Sequence, residues 1–117
     1  MRKLIGENLL MRIFIGEHDR YQHQPLYEAL VELFRKEGFA GATVLRGLCG
    51  FGANRLCHTQ RLLDLSADLP LIVEVVESEE KINAIMPRLD AMMGGGMITL
   101  EKATVIRYTP APPPAPP

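Results

Sequence analysis

Two groups of glycine residues are the strongest candidates for ligand binding in this chain. Gly47, Gly50 and Gly52 lie close together, and a run of three glycines occupies positions 94–96. Glycine allows a backbone to approach a ligand closely and leaves amide N–H donors accessible. The polar residues that follow the first group include arginines, which bind phosphate in a bidentate manner; they are Asn54, Arg55, His58 and Arg61. Ordinary turn chemistry would account for the same glycines, so both interpretations stay open at this point.

Catalytic residues are much less evident than ligand-binding ones. His58 has Asp64 and Ser66 nearby in the sequence, but a nucleophile requires an adjacent base that a third group orients, and nothing in the spacing indicates that arrangement. His18 and Asp19 could ligate a metal, although two neighbouring loop residues are weak evidence. We therefore predict that the protein is not an enzyme and has no metal site.

The two cysteines, Cys49 and Cys57, do not form a disulfide framework for a chain of 117 residues. Their spacing matches no common zinc motif. We expect reduced thiols, with a redox pair as the alternative. A metal site that uses both cysteines and His58 would need further ligands from other copies of the chain.

Composition indicates one ordinary globular domain. The chain is 47% apolar and 23% charged, with a formal net charge of -1. No overall positive field attracts nucleic acid. No apolar run reaches the ~18–20 residues of a membrane span, and the N-terminus lacks a convincing signal peptide, so a cytoplasmic location is expected.

The periodicity of apolar residues predicts six elements in the order βαββαβ. Strands are predicted over 9–15, 43–49, 71–76 and 97–108, and helices between Pro25 and Gly38 and between Ser78 and Gly94. Pro87 lies inside the second helix and predicts a kink or an early break there. The predicted fold is an α+β, ferredoxin-like βαββαβ sandwich, a four-stranded antiparallel sheet with two helices on one face.

The second face of this sheet predicts an oligomer. Alternation along the strands groups large apolar residues with charged residues, and we assign this set to the face without helices. The set is Met11, Ile13 and Ile15, then Val44, Arg46 and Leu48, then Ile72, Glu74 and Val76. Such a patch favours burial against other copies of the chain, with Arg12, Arg46 and Glu74 in ion pairs. A half-solvated face with ordinary surface charges is the alternative.

The expected organisation is an N-terminal extension over 1–8, one domain over 9–109 and a proline-rich tail over 110–117. Proline neither donates to a sheet nor continues a helix, so the tail is expected to be extended or disordered.

Several segments between residues 9 and 108 resemble PII signalling proteins. These segments are Phe39-Ala40-Gly41-Ala42-Thr43-Val44, Gly50-Phe51-Gly52 and His58-Thr59. Others are similar to an uncharacterised family of PII-like bacterial proteins: Arg12-Ile13-Phe14-Ile15-Gly16-Glu17, Pro25-Leu26-Tyr27-Glu28, Gly41-Ala42-Thr43-Val44-Leu45-Arg46-Gly47 and Asp68-Leu69-Pro70. The resemblance implies a ferredoxin-like homotrimer that binds a small anionic ligand, with an adenine nucleotide as the expected cofactor, in clefts between subunits.

The resemblance also implies which residues bind the ligand. The corresponding positions are Gly50, Phe51, Gly52 and Asn54, then Gly94, Gly95 and Gly96, then Arg107, and the residue types add Arg55 and His58. Met97 stands where PII proteins carry a lysine, which predicts less positive charge for phosphate.

The resemblance further suggests a sensor in which ligand binding orders residues 50–62 for contact with a partner such as a transporter or channel. A trimeric metal-binding protein of the copper-tolerance type and a small enzyme on the same fold are the alternatives.

Overall fold

The computed structural model describes residues 2–51, 58–59 and 68–110 of the chain. Its elements, in chain order, are β1 (Arg2–Gly16), β2 (Arg20–Tyr21), β3 (Gln24–Pro25), α1 (Leu26–Lys36), β4 (Thr43–Arg46), β5 (Cys49–Gly50), β6 (His58–Thr59), β7 (Pro70–Glu77), α2 (Glu79–Met92) and β8 (Met97–Thr109). The short strands β2 and β3 form a two-residue hairpin that the sequence did not predict.

Four strands form the main sheet in the order β4-β7-β1-β8, and every neighbouring pair is antiparallel. The residues of α1 and α2 belong to a single buried cluster with one face of this sheet. The predicted ferredoxin-like α+β fold, with two helices on one face of a four-stranded sheet, is confirmed.

Each helix follows from local sequence chemistry. In α1 the buried residues recur at helical spacing, and Gly38, with a φ of 77°, follows the helix end. In α2 the Oγ of Ser78 accepts a hydrogen bond from the backbone N of Lys81 at 3.3 Å, which caps the helix. The early break predicted at Pro87 is wrong, because α2 continues to Met92.

The core lies between the helices and one sheet face, and it corrects two of the three predicted face assignments. Met11, Ile13 and Ile15 are buried beneath the helices, although we had assigned them to the open face. Val44 pairs with buried Val73 and packs against the same core. The error arose because strand alternation alone does not say which face carries the helices.

The open face, meaning the sheet face without helices, comprises the side chains that alternate with this core. Ile72, Glu74 and Val76 lie there, as predicted, and are half-buried. The neighbouring strand contributes Arg12 and Phe14, which are also half-buried.

The first strand is longer than predicted. Its predicted range is 9–15, but β1 begins at Arg2. Strand β7 pairs only with residues 9–16 of β1, whereas β8 pairs with β1 from Arg2 to Phe14. Residues 2–8, assigned to an N-terminal extension, therefore form a two-stranded ribbon with residues 103–109. The domain boundaries themselves stay a prediction.

Candidate functional site

The first glycine group lies where β4 ends beside the start of β7. The backbone N of Gly47 donates to the carbonyl O of Pro70 at 2.7 Å. A Cβ at position 47 would lie 2.7 Å from Cγ of Pro70, so the close approach of these two segments requires glycine. The chain then enters β5, in which Gly50 pairs with His58 of β6. Residues 47–50 thus form the base of the connection between β4 and β7.

An ion pair ties this base to the loop after β1. Arg46 Nε lies 2.6 Å from Oε2 of Glu17, and Arg46 Nη2 donates to Oε1 of the same carboxylate at 3.0 Å. The backbone N of Glu17 donates to the carbonyl O of Leu69 at 2.8 Å. The bidentate geometry fixes the direction of the Arg46 side chain at the start of the loop. The predicted pairing of Arg46 is therefore found, with a carboxylate that sequence reasoning had not identified.

Two carboxylates converge above Gly16, at the same end of the sheet. Asp19 Oδ2 accepts from the backbone N of Gly16 at 2.9 Å, and Asp68 Oδ1 accepts from the backbone N of His18 at 2.8 Å. A Cβ at Gly16 would lie 3.2 Å from Asp19 Oδ1 and 3.3 Å from the Asp68 oxygens. We call this pair of carboxylates the acidic corner. Spacing alone missed it because the two residues are far apart in sequence.

The three consecutive glycines do not have the same structural role. Gly96 has a φ of 89°, and a Cβ there would collide with the carbonyl O of Phe14. A Cβ added at Gly94 or Gly95 would meet no atom within 4 Å, and neither residue has a φ in the left-handed range. The fold therefore requires glycine at 96, whereas the other two leave open backbone beside it.

These features lie at one end of the sheet, and Arg107 lies at the other. Gly96 contacts Phe14 and Ile15, Gly16 pairs with Pro70, and Pro70 bonds to Gly47. Arg107 is exposed on β8, eleven residues beyond Gly96, which at about 3.3 Å per residue separates them by roughly 36 Å. One chain therefore does not bring Arg107 to its own glycine loops.

The other predicted site residues divide into two groups. Phe51 is exposed directly after β5, and only the backbone of His58 is described, where it pairs with Gly50. Gly52, Asn54 and Arg55 lie outside the described residues. One chain thus places Gly50 and Phe51 at the same end of the sheet as residues 94–96 but at the opposite edge, because β4 and β8 are the two outer strands.

A three-membered ion network occupies the centre of the open face. Arg12 Nε lies 2.9 Å from Glu74 Oε1, and Arg12 Nη1 lies 2.8 Å from Glu101 Oε1. The hydrogen bond to Glu74 raises the pKa of the Arg12 guanidinium above its usual value. The predicted pairing of Arg12 with Glu74 is found within one chain. Apolar side chains surround the network: Leu10, Phe14, Leu45, Ile72, Val76 and Met97.

The part of the chain that the structure describes contains neither a cluster of metal-ligating side chains nor a membrane-spanning helix. Among the described residues, no three His, Cys, Asp or Glu side chains are arranged to hold a metal ion. Cys49 is exposed, while Cys57, its partner in the metal-binding alternative, lies outside the described part. Neither of the two described helices has the length and apolar character needed to cross a membrane.

Sequence comparison identifies relatives over most of the chain. Residues 8–105 match the family DUF190, described as an uncharacterized ACR. A UPF0166 protein of Aquifex aeolicus (strain VF5) is 35% identical over 97 residues, which are 83% of this chain and 91% of the relative. A UPF0166 protein of Methanocaldococcus jannaschii is 30% identical over 99 residues, which are 84% and 91% of the two chains.

Solved structures with the same fold are PII-like proteins. The structure of CPII from Thiomonas intermedia K12, bound to ADP and bicarbonate, matches with a TM-score of 0.58 and 18% identity over 89% of this chain and 93% of CPII. A protein of Thermus thermophilus designated PII-like signaling matches with the same TM-score and identity, over 88% of this chain and 91% of its own. The similarity to PII-like proteins that the sequence motifs indicated is confirmed at the level of the fold.

Proposed function

Because this chain belongs to the DUF190 family and has the fold of PII-like proteins, we propose that it is a non-enzymatic signalling protein that senses a small anionic ligand. The ligand is an adenine nucleotide, bound in clefts between the subunits of a homotrimer. The protein regulates a partner, such as a membrane transporter or channel, through the connection over residues 50–62.

The observation that carries this proposal is that two glycine-containing segments expose their backbone at the same end of the sheet. The base at Gly50 and the glycines at 94 and 95 lie at this end, and neither of those two glycines is required by local packing. Exposed backbone amides are suited to phosphate oxygens. CPII, a protein with the same fold, has been solved bound to ADP and bicarbonate, and ADP provides the chemical class for this site.

A homotrimer supplies what one chain lacks. Since Arg107 is roughly 36 Å from Gly96 along the same strand, Arg107 can reach the site only from a neighbouring subunit. The open face supports association, because it presents exposed Leu45 and Met97 around a network that is already internally paired. Burial of Arg12 in such an interface is tolerable since its two carboxylate partners accompany it.

Calorimetric titration of the purified protein with ADP tests the proposal. We expect saturable binding of one nucleotide per chain, and a mass near three times 13.0 kDa by light scattering. At a protein concentration where light scattering shows that the variant is still trimeric, Arg107→Ala should weaken binding by about ten- to a hundredfold, since it removes a charge-assisted contact of roughly 1.5–3 kcal/mol.

Lys102→Ala is the matched control, because Lys102 is exposed on the same strand and points to the opposite side of the sheet. It should bind ADP like the unmodified protein. Absence of ADP and AMP binding at millimolar concentration, or equal losses in both variants, would contradict the proposed nucleotide site.

A further inference from the structure

The ribbon, meaning residues 2–8 of β1 paired with residues 103–109 of β8, is an uncovered part of the molecule. It projects beyond the region that β7 supports. It carries four of the nine large apolar side chains exposed in the described residues: Leu4 at 57%, Ile5 at 66%, Ile106 at 47% and Tyr108 at 57%. An isolated two-stranded ribbon is only marginally stable in water, so this projection is expected to be covered by another surface.

The charge of the ribbon is basic where its apolar side chains are exposed. Arg107 lies opposite Leu4 on the side of the ribbon that continues the open face, whereas Lys3 lies opposite Tyr108 on the other side, together with Ile5 and Ile106. Both cations are exposed, and within the described residues neither forms an ion pair. A complementary surface would therefore present carboxylates that are not already neutralised.

The acidic corner is such a surface. Asp19 and Asp68 each accept one backbone hydrogen bond and retain an oxygen without a described partner. No described cation lies within ion-pair distance of either carboxylate. The strand register places Gly16, beneath them, and Arg107 on the same side of the sheet but at opposite ends.

We propose that the ribbon of one chain docks on the acidic corner of a second copy of the same chain, with Arg107 facing Asp19 and Asp68. A contact between opposite ends of one surface is heterologous, and with a rotation of 120° per subunit it closes into a three-membered ring. The inference rests on the proposed homotrimer and deepens it, since it names the surfaces that join the subunits. It also brings Arg107 beside the neighbour's glycine loops, where the five N–H donors of the guanidinium suffice for the two carboxylates and for a nucleotide phosphate.

Charge reversal and its rescue, followed by light scattering and sedimentation without nucleotide, test this contact. Arg107→Glu should raise the apparent dissociation constant of the assembly at least about tenfold, because it sets like charges against each other. Asp68→Lys should weaken the assembly similarly, and Asp68→Asn, which keeps the acceptor for His18, should weaken it less. The combination of Arg107→Glu with Asp68→Lys should restore assembly to within about threefold of the original.

Lys102→Glu is the control, because it reverses an exposed charge on the same strand but on the other side of the sheet. It should assemble like the unmodified protein. Raised salt should weaken assembly of the unmodified protein, because it screens the attraction between Arg107 and the acidic corner. It should affect the Arg107→Glu protein much less, since that protein has already lost this attraction.

The proposal is overturned if Arg107→Glu assembles normally, if Lys102→Glu disrupts assembly equally, or if the double variant is no better than either single one. These outcomes are independent of nucleotide binding. A trimer that passes the rescue test but does not bind ADP retains the ribbon contact and loses the proposed sensing role. A trimer that binds ADP but fails the rescue test retains the proposed sensing role and loses the ribbon contact.

Discussion

The glycine run offers a prediction that separates a structural residue from two that are available for binding. Gly96→Ala introduces a Cβ that collides with the carbonyl O of Phe14, at a residue whose φ is 89°. A non-glycine residue in the left-handed region costs about 1–2 kcal/mol, and overpacking against an adjacent strand adds about 1–3 kcal/mol. We expect a loss of roughly 2–5 kcal/mol in the free energy of unfolding.

Thermal unfolding of matched variants measures this loss. For a domain of about a hundred residues, 1 kcal/mol corresponds to about 4–8 °C, so Gly96→Ala should lower Tm by roughly 8–40 °C. Gly95→Ala meets no neighbouring atom within 4 Å and should stay within about 0.5 kcal/mol of the original. Gly95→Val should retain the fold but weaken ADP binding.

Equal stability losses at positions 95 and 96 would refute the reasoning, because they would show that the collision at Gly96 has no special cost. An unchanged Tm for Gly96→Ala would refute it as well. The two glycines are adjacent in sequence, so general effects of the substitution are the same in both proteins.

Two further predictions concern stability and the base of the loop. Phe34 is 1% exposed, and its ring centroid lies 5.0 Å from that of Phe39. Phe34→Ala should therefore lower the free energy of unfolding, measured by chemical denaturation, by about 3–5 kcal/mol. A loss below about 1 kcal/mol would contradict the packing described. Glu17→Gln and Arg46→Gln should be coupled by roughly 0.5–1 kcal/mol in a double-mutant cycle, because their side chains remain partly solvated, and zero coupling would contradict the bidentate pair.

The order of the elements could be predicted from sequence because each has a local cause. Helical spacing of apolar residues and the cap at Ser78 specify the helices, and glycines mark their ends. At Pro87 the sequence left a kink and an early break open, and the structure shows that α2 continues. A proline loses only one backbone donor there, and the burial of Leu89 beyond it keeps the last turn attached to the core.

The assignment of sheet faces failed where both sides of a strand are apolar. Met11 and Ile13 are buried, but the alternate side chains of Leu10 and Phe14 are apolar too, so hydrophobicity does not identify the core side of β1. The buried face of β1 is the one on which the helices pack, and local sequence does not specify on which face they pack.

The candidate site was only partly accessible to sequence reasoning. The sequence identified the glycines as turn residues. It could not show that position 96 requires glycine, because that requirement comes from the carbonyl O of Phe14, a residue far away in sequence. The pair between Glu17 and Arg46 and the convergence of Asp19 with Asp68 also join distant segments. No local spacing rule anticipates such contacts.

Subunit complementation tests the central claim most directly. Gly95→Val and Arg107→Ala chains are prepared separately, shown to bind ADP poorly, then unfolded together at equal concentration, refolded and titrated with ADP. If each site combines the glycine loop of one chain with Arg107 of its neighbour, about a quarter of the clefts in randomly mixed trimers contain both original residues and regain full affinity. If the site lies within one chain, every chain carries a defect and no high-affinity binding returns, which would contradict the intersubunit site.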